Sequence, residues 1–319
     1  MSRKIIVLAG GISSRMKKSS SEISSLDSSL IKDANEKTKA MIGLGDGKRP
    51  FLDYLLYEIK KAEYDEVIIV IGEKDFSIKN YYGEKLKNNN FYGLNISYAI
   101  QYIPKERIKP LGTADAVYQA LIQFPEFKKS VFAIVNSDNL YSAKALKTLY
   151  EDSCENVMLD YDRDSLLFPK ERIERFAVTV KKNDYLVDII EKPTSKQIEF
   201  AKDKNEKIGV SMNAWKNHYD ALMPYLETVQ KHPERDEKEL PTAEINMVYN
   251  TNLRIFTRDF IERKISFLRK FNNFLIQEKN LKTIKCIFWK EHVPDLTSKE
   301  DILPAQNYIK ENFSVPQWK

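Results

Sequence analysis

Three short apolar runs recur in the first half of the chain, and segments with helical spacing separate them. The runs cover residues 4–9, 66–72 and 130–135, and each is rich in β-branched residues at successive positions. This pattern is typical of strands that are buried on both faces of a parallel sheet. The alternation of strand and helix therefore predicts an α/β fold with a mostly parallel, Rossmann-like sheet flanked by helices.

Weaker patterns add further elements to this framework. The first half predicts a helix at 75–86, a strand at 94–101 and a helix that begins at Gly112. The second half predicts an antiparallel pair of strands that turns at Asn183-Asp184 and forms a small antiparallel extension. The elements predicted there are, in chain order, strands at 175–181, 185–191 and 207–215, helices at 218–230 and 258–280, a strand at 283–289 and a helix at 298–311 begun by Ser298.

The order of the predicted elements suggests how the chain is divided into domains. Residues 1–250 are predicted to form the core, and residues 251–319 a C-terminal helix–strand–helix region that packs on it. The Ser-rich segment 17–36 is weakly patterned, which predicts a mobile loop within the core, with room for a short helix.

Composition excludes several classes of protein. The charge of +5 comes from 51 basic and 46 acidic residues, which indicates a mixed, Lys-rich surface and no basic stripe for nucleic acid. Cys154 and Cys286 are the only cysteines in the sequence, so neither a disulfide framework nor a cysteine zinc site is expected. No apolar run approaches the roughly 18 residues of a membrane span. We therefore expect a cytoplasmic protein without a signal peptide, a membrane partner or a nucleic-acid partner.

The stretch LAGGISSRM, residues 8–16, follows the first predicted strand directly. A glycine pair lets a ligand approach the backbone amides, and Ser13, Ser14 and Arg15 add further donors. Such a turn is typical of a phosphate-binding site. The alternative interpretation is an ordinary tight turn without a ligand. The dinucleotide fingerprint and the Walker pattern do not fit these residues.

Three strand ends carry residues that suit one site. Gly10-Gly11, Gln101 and Asp138 each follow a predicted strand, and the carboxyl ends of parallel strands lie along the same edge of a sheet. Asp138 is a candidate Mg²⁺ ligand, because Mg²⁺ sites with phosphate substrates use one or two protein carboxylates. The alternative is that Asp138 caps the following helix.

Seven segments, in order, resemble those of the sugar nucleotidyltransferases. They are LAGGISSRM, Lys39-Ala40-Met41, GKRPFLDYLL, RIKPLGTADAV, NSDNLY, the EKP at 191–193 and the SMNAW at 211–215. The resemblance covers roughly residues 3 to 220 in order, and more loosely the region to 311. It implies the nucleotide-diphospho-sugar transferase type of fold and a Mg²⁺-dependent reaction between a nucleoside triphosphate and a sugar 1-phosphate, which yields a nucleotide sugar and pyrophosphate.

The resemblance also implies a role for each matching residue. Arg15, Lys39 and Asp138 are the expected catalytic residues, and Glu191, Lys192 and Asn213 are expected to hold the sugar phosphate. Asp138 is the expected Mg²⁺ ligand, and the late segment offers Glu291 or Asp295 as a second one, with Asp295 favoured because Asp is shorter. The nucleotide is expected to contact Leu8, Ala9, Gly10, Gly11, Gln101, Pro110, Gly112 and Thr113.

The sequence departs from the family pattern at a few positions. Ser13 stands where the family has a third glycine, and Thr38 stands where a proline usually precedes the lysine. Asn136-Ser137 replaces the residues that usually precede the metal aspartate. None of these changes removes a charged group that the reaction uses, so they bear on substrate identity more than on reaction type.

The sequence also allows other interpretations. Asp160-Tyr161-Asp162 has the Asp-x-Asp form of glycosyltransferase metal sites, and the segment after it loosely resembles a calcium loop. A molybdenum cofactor guanylyltransferase type of activity and a catalytically dead regulatory subunit are the alternatives to the main prediction. His218, His232 and His292 lie in polar contexts and are expected at the surface. The sequence does not determine which base or which sugar is bound. A homo-oligomer is compatible with it.

Overall fold

A computed structural model describes residues 2–11, 13–18, 26–83, 91, 93–103, 105, 110, 112–230 and 284–313. The strands within these ranges are β1 Lys4–Leu8, β2 Gly43–Leu44, β3 Arg49–Pro50, β4 Glu66–Gly72, β5 Asn95–Gln101, β6 Val131–Asn136, β7 Val157–Asp162, β8 Val178–Lys182, β9 Tyr185–Ile190, β10 Gly209–His218 and β11 Lys285–Trp289. The α-helices are α1 Ser14–Lys18, α2 Ser28–Glu36, α3 Phe51–Lys61, α4 Ser77–Tyr82, α5 Thr113–Gln123, α6 Ala143–Glu151, α7 Lys170–Ile173, α8 Ser195–Phe200, α9 Tyr219–Gln230 and α10 Ile302–Asn312.

The chain divides into two compact units. The first comprises Met1–Ile103, Val135–Lys147 and Val293–Lys319, and the second comprises Pro104–Ile134 and Thr148–His292. Strands and helices are mixed in both, which confirms the α/β class at this level. The predicted division at residue 250 stays a prediction.

A parallel sheet organises the first unit. Strand β4 lies between β1 and β5 and is parallel to both, with Ile6 opposite Ile68 and Ile68 opposite Ser97. The side chains of β1 from Ile5 onwards and those of β4 from Val67 to Ile71 are buried. The first two apolar runs are therefore buried strands, as the sequence predicts.

Helix α3 covers part of this unit and is buried over most of its length. Its buried residues include Asp53, whose carboxylate accepts hydrogen bonds from Tyr82 Oη at 2.6 Å and from Arg49 Nη1 at 3.2 Å. Burial raises the pKa of Asp53, and these donors oppose that shift. The buried carboxylate is thus stabilised by local donors.

The Ser-rich segment contains more helix than the sequence predicts. Residues 28–36 form α2, and the Asp27 side chain accepts a hydrogen bond from Ser29 N at 3.0 Å at its start. Ala34 anchors this helix because its side chain is fully buried. Residues 19–25 lie outside the described residues, so mobility there stays a prediction.

The second unit is built on a mixed sheet. Strand β10 is antiparallel to β6, β7 and β8, whereas β11 is parallel to β7. Strands β8 and β9 are antiparallel and joined by Asn183 and Asp184, whose φ angles are 52° and 63°. The predicted hairpin and its turn are therefore confirmed.

Two predicted helix boundaries can be compared with the structure. Helix α4 ends at Tyr82, earlier than predicted, because Gly83 adopts a φ of 75° and stops the helix. The last helix begins as predicted, since Ser298 starts a short 3₁₀ turn, Lys299–Asp301, that continues into α10. The helix predicted at 258–280 lies outside the described residues. Among the helices that are described, none combines the length and apolarity needed to cross a bilayer.

Candidate active site

The glycine turn after β1 lies against the end of the neighbouring parallel strand. Ala9 N donates to Val70 O at 2.8 Å, which keeps the chain in register with β4 up to the turn. A Cβ added to Gly10 would lie only 2.8 Å from Gln101 Oε1, so a larger residue there would displace this buried amide group from the turn. A Cβ added to Gly11 would meet nothing within 4 Å, so a ligand could approach the backbone there.

Hydrogen bonds to the backbone place Asp138 beside the same turn. Ser137 N donates to Leu8 O at 3.0 Å, which joins the segment after β6 to the end of β1. On the other side, Leu296 N donates to Asp138 O at 2.8 Å, and Asn139 forms an antiparallel bridge with Asp295. The expected metal ligand Asp138 is thus fixed through its backbone from two sides.

Lys39 contacts the Asp138 carboxylate directly. Its Nζ lies 3.0 Å from Oδ2, and the two side chains are 17% and 28% exposed. Lys39 is the first residue of a short 3₁₀ helix, Lys39–Met41, in which Ala40 and Met41 are buried. The pair is therefore partly accessible, while its support is buried. The sequence predicts both charges, but not their contact, because 99 residues separate them.

Arg15 occupies a different environment. It lies on the short helix α1 and is exposed, and Lys17 N of the same helix donates to Ser13 O at 3.1 Å. Ser13 itself is nearly buried, and its Oγ accepts a hydrogen bond from Lys39 N at 3.3 Å. Arg15 is thus free to reach into solvent near the turn, and its catalytic role stays a prediction.

The late carboxylates are distinguished by their positions. Asp295 belongs to the first unit, and Thr297 Oγ1 donates to its two carboxylate oxygens at 3.0 and 3.2 Å. Glu291 falls in the second unit. No group of three or more His, Cys, Asp or Glu side chains in the described residues could hold a metal ion. One or two carboxylates with phosphate oxygens are nevertheless a sufficient donor set for Mg²⁺.

The second unit holds the remaining predicted nucleotide residues. Gly112 has a φ of 106° and precedes α5, which begins at Thr113. A φ in this region strongly favours glycine, so the Gly-Thr pair has a backbone reason as well as the implied binding role. Pro110 lies two residues earlier and is partly buried. The role of these residues in nucleotide binding stays a prediction.

The predicted sugar-binding residues also belong to the second unit. Asn213 has a φ of 61° in an irregular stretch of β10, and its Oδ1 accepts a hydrogen bond from Trp215 Nε1 at 2.8 Å. Glu191 and Lys192 follow directly after β9, and Lys192 has a φ of 47°. Strained backbone of this kind is common at ligand sites, although it does not assign a ligand.

Asp160 is unsuited to bind metal or calcium. It is fully buried, accepts a hydrogen bond from Thr179 Oγ1 at 2.6 Å and pairs with Lys181. Burial raises the pKa of its carboxyl group, and Lys181 opposes the shift. Asp162 is nearly buried and bonds instead to Asp164 N and Ser165 Oγ at 3.3 and 3.0 Å. The structure thus disfavours the Asp-x-Asp and calcium-loop readings.

The prediction of a surface position for His292 is wrong. The residue is only partly exposed, its ring packs edge-on against Phe168 with centroids 4.8 Å apart, and its Nδ1 accepts a hydrogen bond from Leu167 N at 3.1 Å. Burial lowers the pKa of His292 to about 4, with a smaller contribution from Arg172. The polar residues around it in the sequence concealed an aromatic neighbour that is distant in the chain.

Comparisons with known proteins show the family and the fold of this chain. The family described as "Nucleotidyl transferase" matches residues 34–243, which is more than half of the chain. The chain is 25% identical over 187 residues to D-glycero-α-D-manno-heptose 1-phosphate guanylyltransferase from Aneurinibacillus thermoaerophilus, covering 59% of this chain and 66% of that protein. It is 28% identical over 196 residues to the enzyme of the same name from Campylobacter jejuni, covering 60% and 70%.

A solved structure shows the same fold. The UDP-glucose pyrophosphorylase from Acinetobacter baumannii matches with a TM-score of 0.62 and 15% identity, covering 99% of this chain and 95% of that one. The sequence relatives align over about two thirds of their length, whereas this structural match extends over nearly the whole chain. The chain belongs to the nucleotidyl transferase family.

Proposed function

We propose that this protein transfers a nucleotidyl group from a nucleoside triphosphate to a sugar 1-phosphate, with release of pyrophosphate. The observation that carries the proposal is the Lys39–Asp138 contact of 3.0 Å beside an accessible glycine turn, in a chain of the nucleotidyl transferase family. Two polyanions can come together only where positive charge and hydrogen-bond donors neutralise them. Here a lysine and free backbone amides would do so directly, and the carboxylate would do so by holding Mg²⁺.

The chemistry is a displacement at phosphorus. An oxygen of the sugar 1-phosphate forms a new bond to the α-phosphorus, the bond from that phosphorus to the bridging oxygen breaks, and the electron pair leaves with pyrophosphate. The attacking phosphate is already ionised near neutral pH, so the reaction needs no general base. Catalysis is then mainly positioning and charge neutralisation.

Each predicted residue of the first unit fits a part of this task. The Gly10-Gly11 amides would bind the nucleotide phosphates, and Gln101, held against Gly10, would contact the base. Lys39 would provide a compact positive charge near the α-phosphate. Arg15, exposed on α1, would face the departing pyrophosphate. The turn, the strand end and the two cations thus supply complementary contacts to one triphosphate.

The residues present fit a Mg²⁺ ion. Asp138 would be its main protein ligand, and Asp295 is the second candidate, because the bridge between Asn139 and Asp295 brings the late segment alongside Asp138. When bound, the ion would neutralise phosphate oxygens and act as a Lewis acid on them. The short carboxylate of Asp suits the compact shell that Mg²⁺ prefers.

The acceptor and the remaining nucleotide contacts belong to the second unit in this proposal. Glu191, Lys192 and Asn213 would hold the sugar phosphate, and Pro110, Gly112 and Thr113 would complete the nucleotide site. The names of the sequence relatives make GTP and a heptose 1-phosphate the first pair to test. A catalytically inactive regulatory subunit is disfavoured, because the chain has all three expected catalytic residues, Arg15, Lys39 and Asp138.

Replacing Asp138 tests the proposal at its centre. Once pyrophosphate release identifies an active substrate pair, Asp138→Asn should lower kcat by roughly 10²–10³-fold or more, because the carboxylate that would hold Mg²⁺ at the reacting phosphates is lost. Folding should be nearly unchanged, since the Asp138 side chain is partly exposed and its pair with Lys39 contributes about 1 kcal/mol or less. Thermal unfolding and Mg²⁺ titration accompany the kinetic measurement.

Asp46→Asn is the matched control. Asp46 also lies in the first unit and pairs with a lysine, Lys310, at 3.3 Å, and its side chain is 66% exposed. This variant should keep the wild-type kcat and Mg²⁺ dependence. Equal turnover in Asp138→Asn and Asp46→Asn would remove Asp138 from the site. If pyrophosphate were released only with a non-sugar acceptor, the result would favour the alternative function, a guanylyltransferase of the molybdenum cofactor type.

A further inference from the structure

Ser13 has a backbone conformation that serine seldom adopts. Its φ is 52°, in the left-handed region that favours glycine. The family resemblance also predicts glycine at this position, so a glycine would fit here with less strain. The serine is 8% exposed, so its side chain does not simply extend into solvent.

The buried hydroxyl has a specific partner. Ser13 Oγ accepts a hydrogen bond from the backbone N–H of Lys39 at 3.3 Å, across 26 residues of sequence. Lys39 begins the 3₁₀ helix Lys39–Met41, and the first N–H groups of a helix lack partners within it. Thr38 precedes that helix but makes no capping hydrogen bond through its side chain. Ser13 therefore supplies a cap that the local sequence does not.

The contact continues to the reacting groups. The backbone that Ser13 holds belongs to the residue whose Nζ lies 3.0 Å from Asp138 Oδ2. The Ser13 carbonyl also accepts from Lys17 N at 3.1 Å and so anchors the helix that carries Arg15. One residue thus contacts both segments that carry the predicted catalytic cations.

We propose that Ser13 is a positioning residue, which fixes the backbone of Lys39 so that its ammonium group stays directed at Asp138. The hydroxyl does this, and the carbonyl, which any residue would provide, holds α1. The catalytic meaning of this contact rests on the proposed function, but the contact itself does not.

Ser13→Gly separates the hydroxyl from the backbone. Glycine adopts the observed φ without strain, which offsets part of the stability lost with the hydrogen bond, so the midpoint of urea unfolding should stay close to that of the wild type. Loss of the hydrogen bond should make the Lys39 amide exchange with solvent about five- to tenfold faster. Residue-resolved hydrogen exchange measures this without any substrate. An unchanged exchange rate at Lys39 would overturn the proposal.

A double-mutant cycle tests the route through Lys39. With an active substrate pair, Ser13→Gly should lower kcat by about fivefold while the KM for the nucleotide changes less. In a Lys39→Ala background the same change should have no further effect on kcat, because there is no ammonium left to position. An equal loss in both backgrounds would mean that Ser13 acts independently of Lys39, which contradicts the proposal.

Lys129→Gly is the matched control. Lys129 has a φ of 54° and is exposed in the second unit, so the variant relieves a similar backbone conformation away from the site. It should leave kcat and the exchange of the Lys39 amide unchanged. If the wild type turned over no substrate pair, the proposed function would fail, whereas hydrogen exchange would still decide whether Ser13 holds Lys39.

Discussion

The neutral imidazole of His292 shows how strongly one side chain can depend on its surroundings. Its ring is packed against Phe168, and Phe168 in turn contacts Arg172, whose guanidinium lies 4.4 Å from the ring centroid. Burial and this nearby cation both disfavour a second charge, so the pKa of His292 falls to about 4 from the usual 6.5. The Nδ1 atom needs to be unprotonated to accept the Leu167 N–H.

This environment predicts a loss of stability in mild acid. Because the folded pKa lies below the unfolded one, the unfolded chain binds more protons, and the free energy of unfolding should fall as the pH falls from about 6.5 towards about 4. His292→Gln keeps an acceptor but does not titrate there. Urea unfolding at about pH 7.5 and about pH 5 should therefore show a smaller loss for the variant than for the wild type.

The control is His218→Gln. His218 Nδ1 also accepts a backbone hydrogen bond, from Asp220 N at 3.2 Å. This variant should keep the wild-type dependence on pH. If His292→Gln and the wild type lost equal stability between the two pH values, the buried neutral imidazole would not be the cause.

At the scale of residues, the sequence predicts chemistry better than contacts. Lys39 and Asp138 could be chosen from their residue types and motifs, whereas their ion pair depends on the fold. Asp160 is misleading in the sequence for the same reason: its Asp-x-Asp motif suggests a metal ligand, but does not reveal that the carboxylate is buried against Thr179 and Lys181. Ser13 looked like a donor near phosphate, and the structure shows its hydroxyl as an acceptor from Lys39.

The turn between β8 and β9 is an element that local sequence predicts well. Lys182 pairs with Tyr185, so Asn183 and Asp184 form a two-residue loop, and both have positive φ angles. This is the type I′ geometry, for which Asn followed by Gly is the preferred sequence. The natural aspartate at the second position is therefore a tolerated residue, and a better one exists.

Asp184→Gly should stabilise the protein by about 0.5–1 kcal/mol, because glycine adopts the required φ without strain. Asp184→Val should destabilise it, since a β-branched residue tolerates positive φ poorly. Both variants keep the Asp184 carbonyl that accepts from Cys286 N at 2.7 Å. The midpoint of urea unfolding measures the two effects, and a shift in the same direction for both would contradict the assigned turn.

Other elements were harder to predict because their signals are weak or distant. Helix α2 lies in a Ser-rich segment, and its main signals are the cap at Asp27 and one buried alanine, Ala34. Helix α4 is shorter than its pattern suggests, since Gly83 ends it. Periodicity locates an amphipathic segment, but caps and glycines set its limits.

At the scale of the whole molecule, the direction of strands is the feature that periodicity cannot supply. A buried strand has the same apolar pattern in either direction, so β10 could be placed in the sheet from sequence, but not its antiparallel pairing with β6 and β7. The alternation in the first unit was more informative, because β1, β4 and β5 are parallel with helices between them.

The proposed site residues are distributed over both units. The glycine turn, Lys39, Asp138 and Asp295 lie in the first unit, and the residues proposed for the sugar lie in the second. The products of the proposed reaction depend on the residues of both units, so they test the proposal more directly than any single substitution.

The decisive measurement uses a sugar 1-phosphate whose phosphate oxygens carry a heavy isotope. The protein is mixed with Mg²⁺ and each nucleoside triphosphate in turn, starting with GTP and a heptose 1-phosphate, and the products are weighed by mass spectrometry. We expect equal amounts of unlabelled pyrophosphate and a nucleotide sugar that retains all of the labelled oxygen, and both products should form at least about 10²-fold more slowly in Asp138→Asn. Nucleoside monophosphate in place of nucleotide sugar, or no product from any pair, would contradict the proposed function.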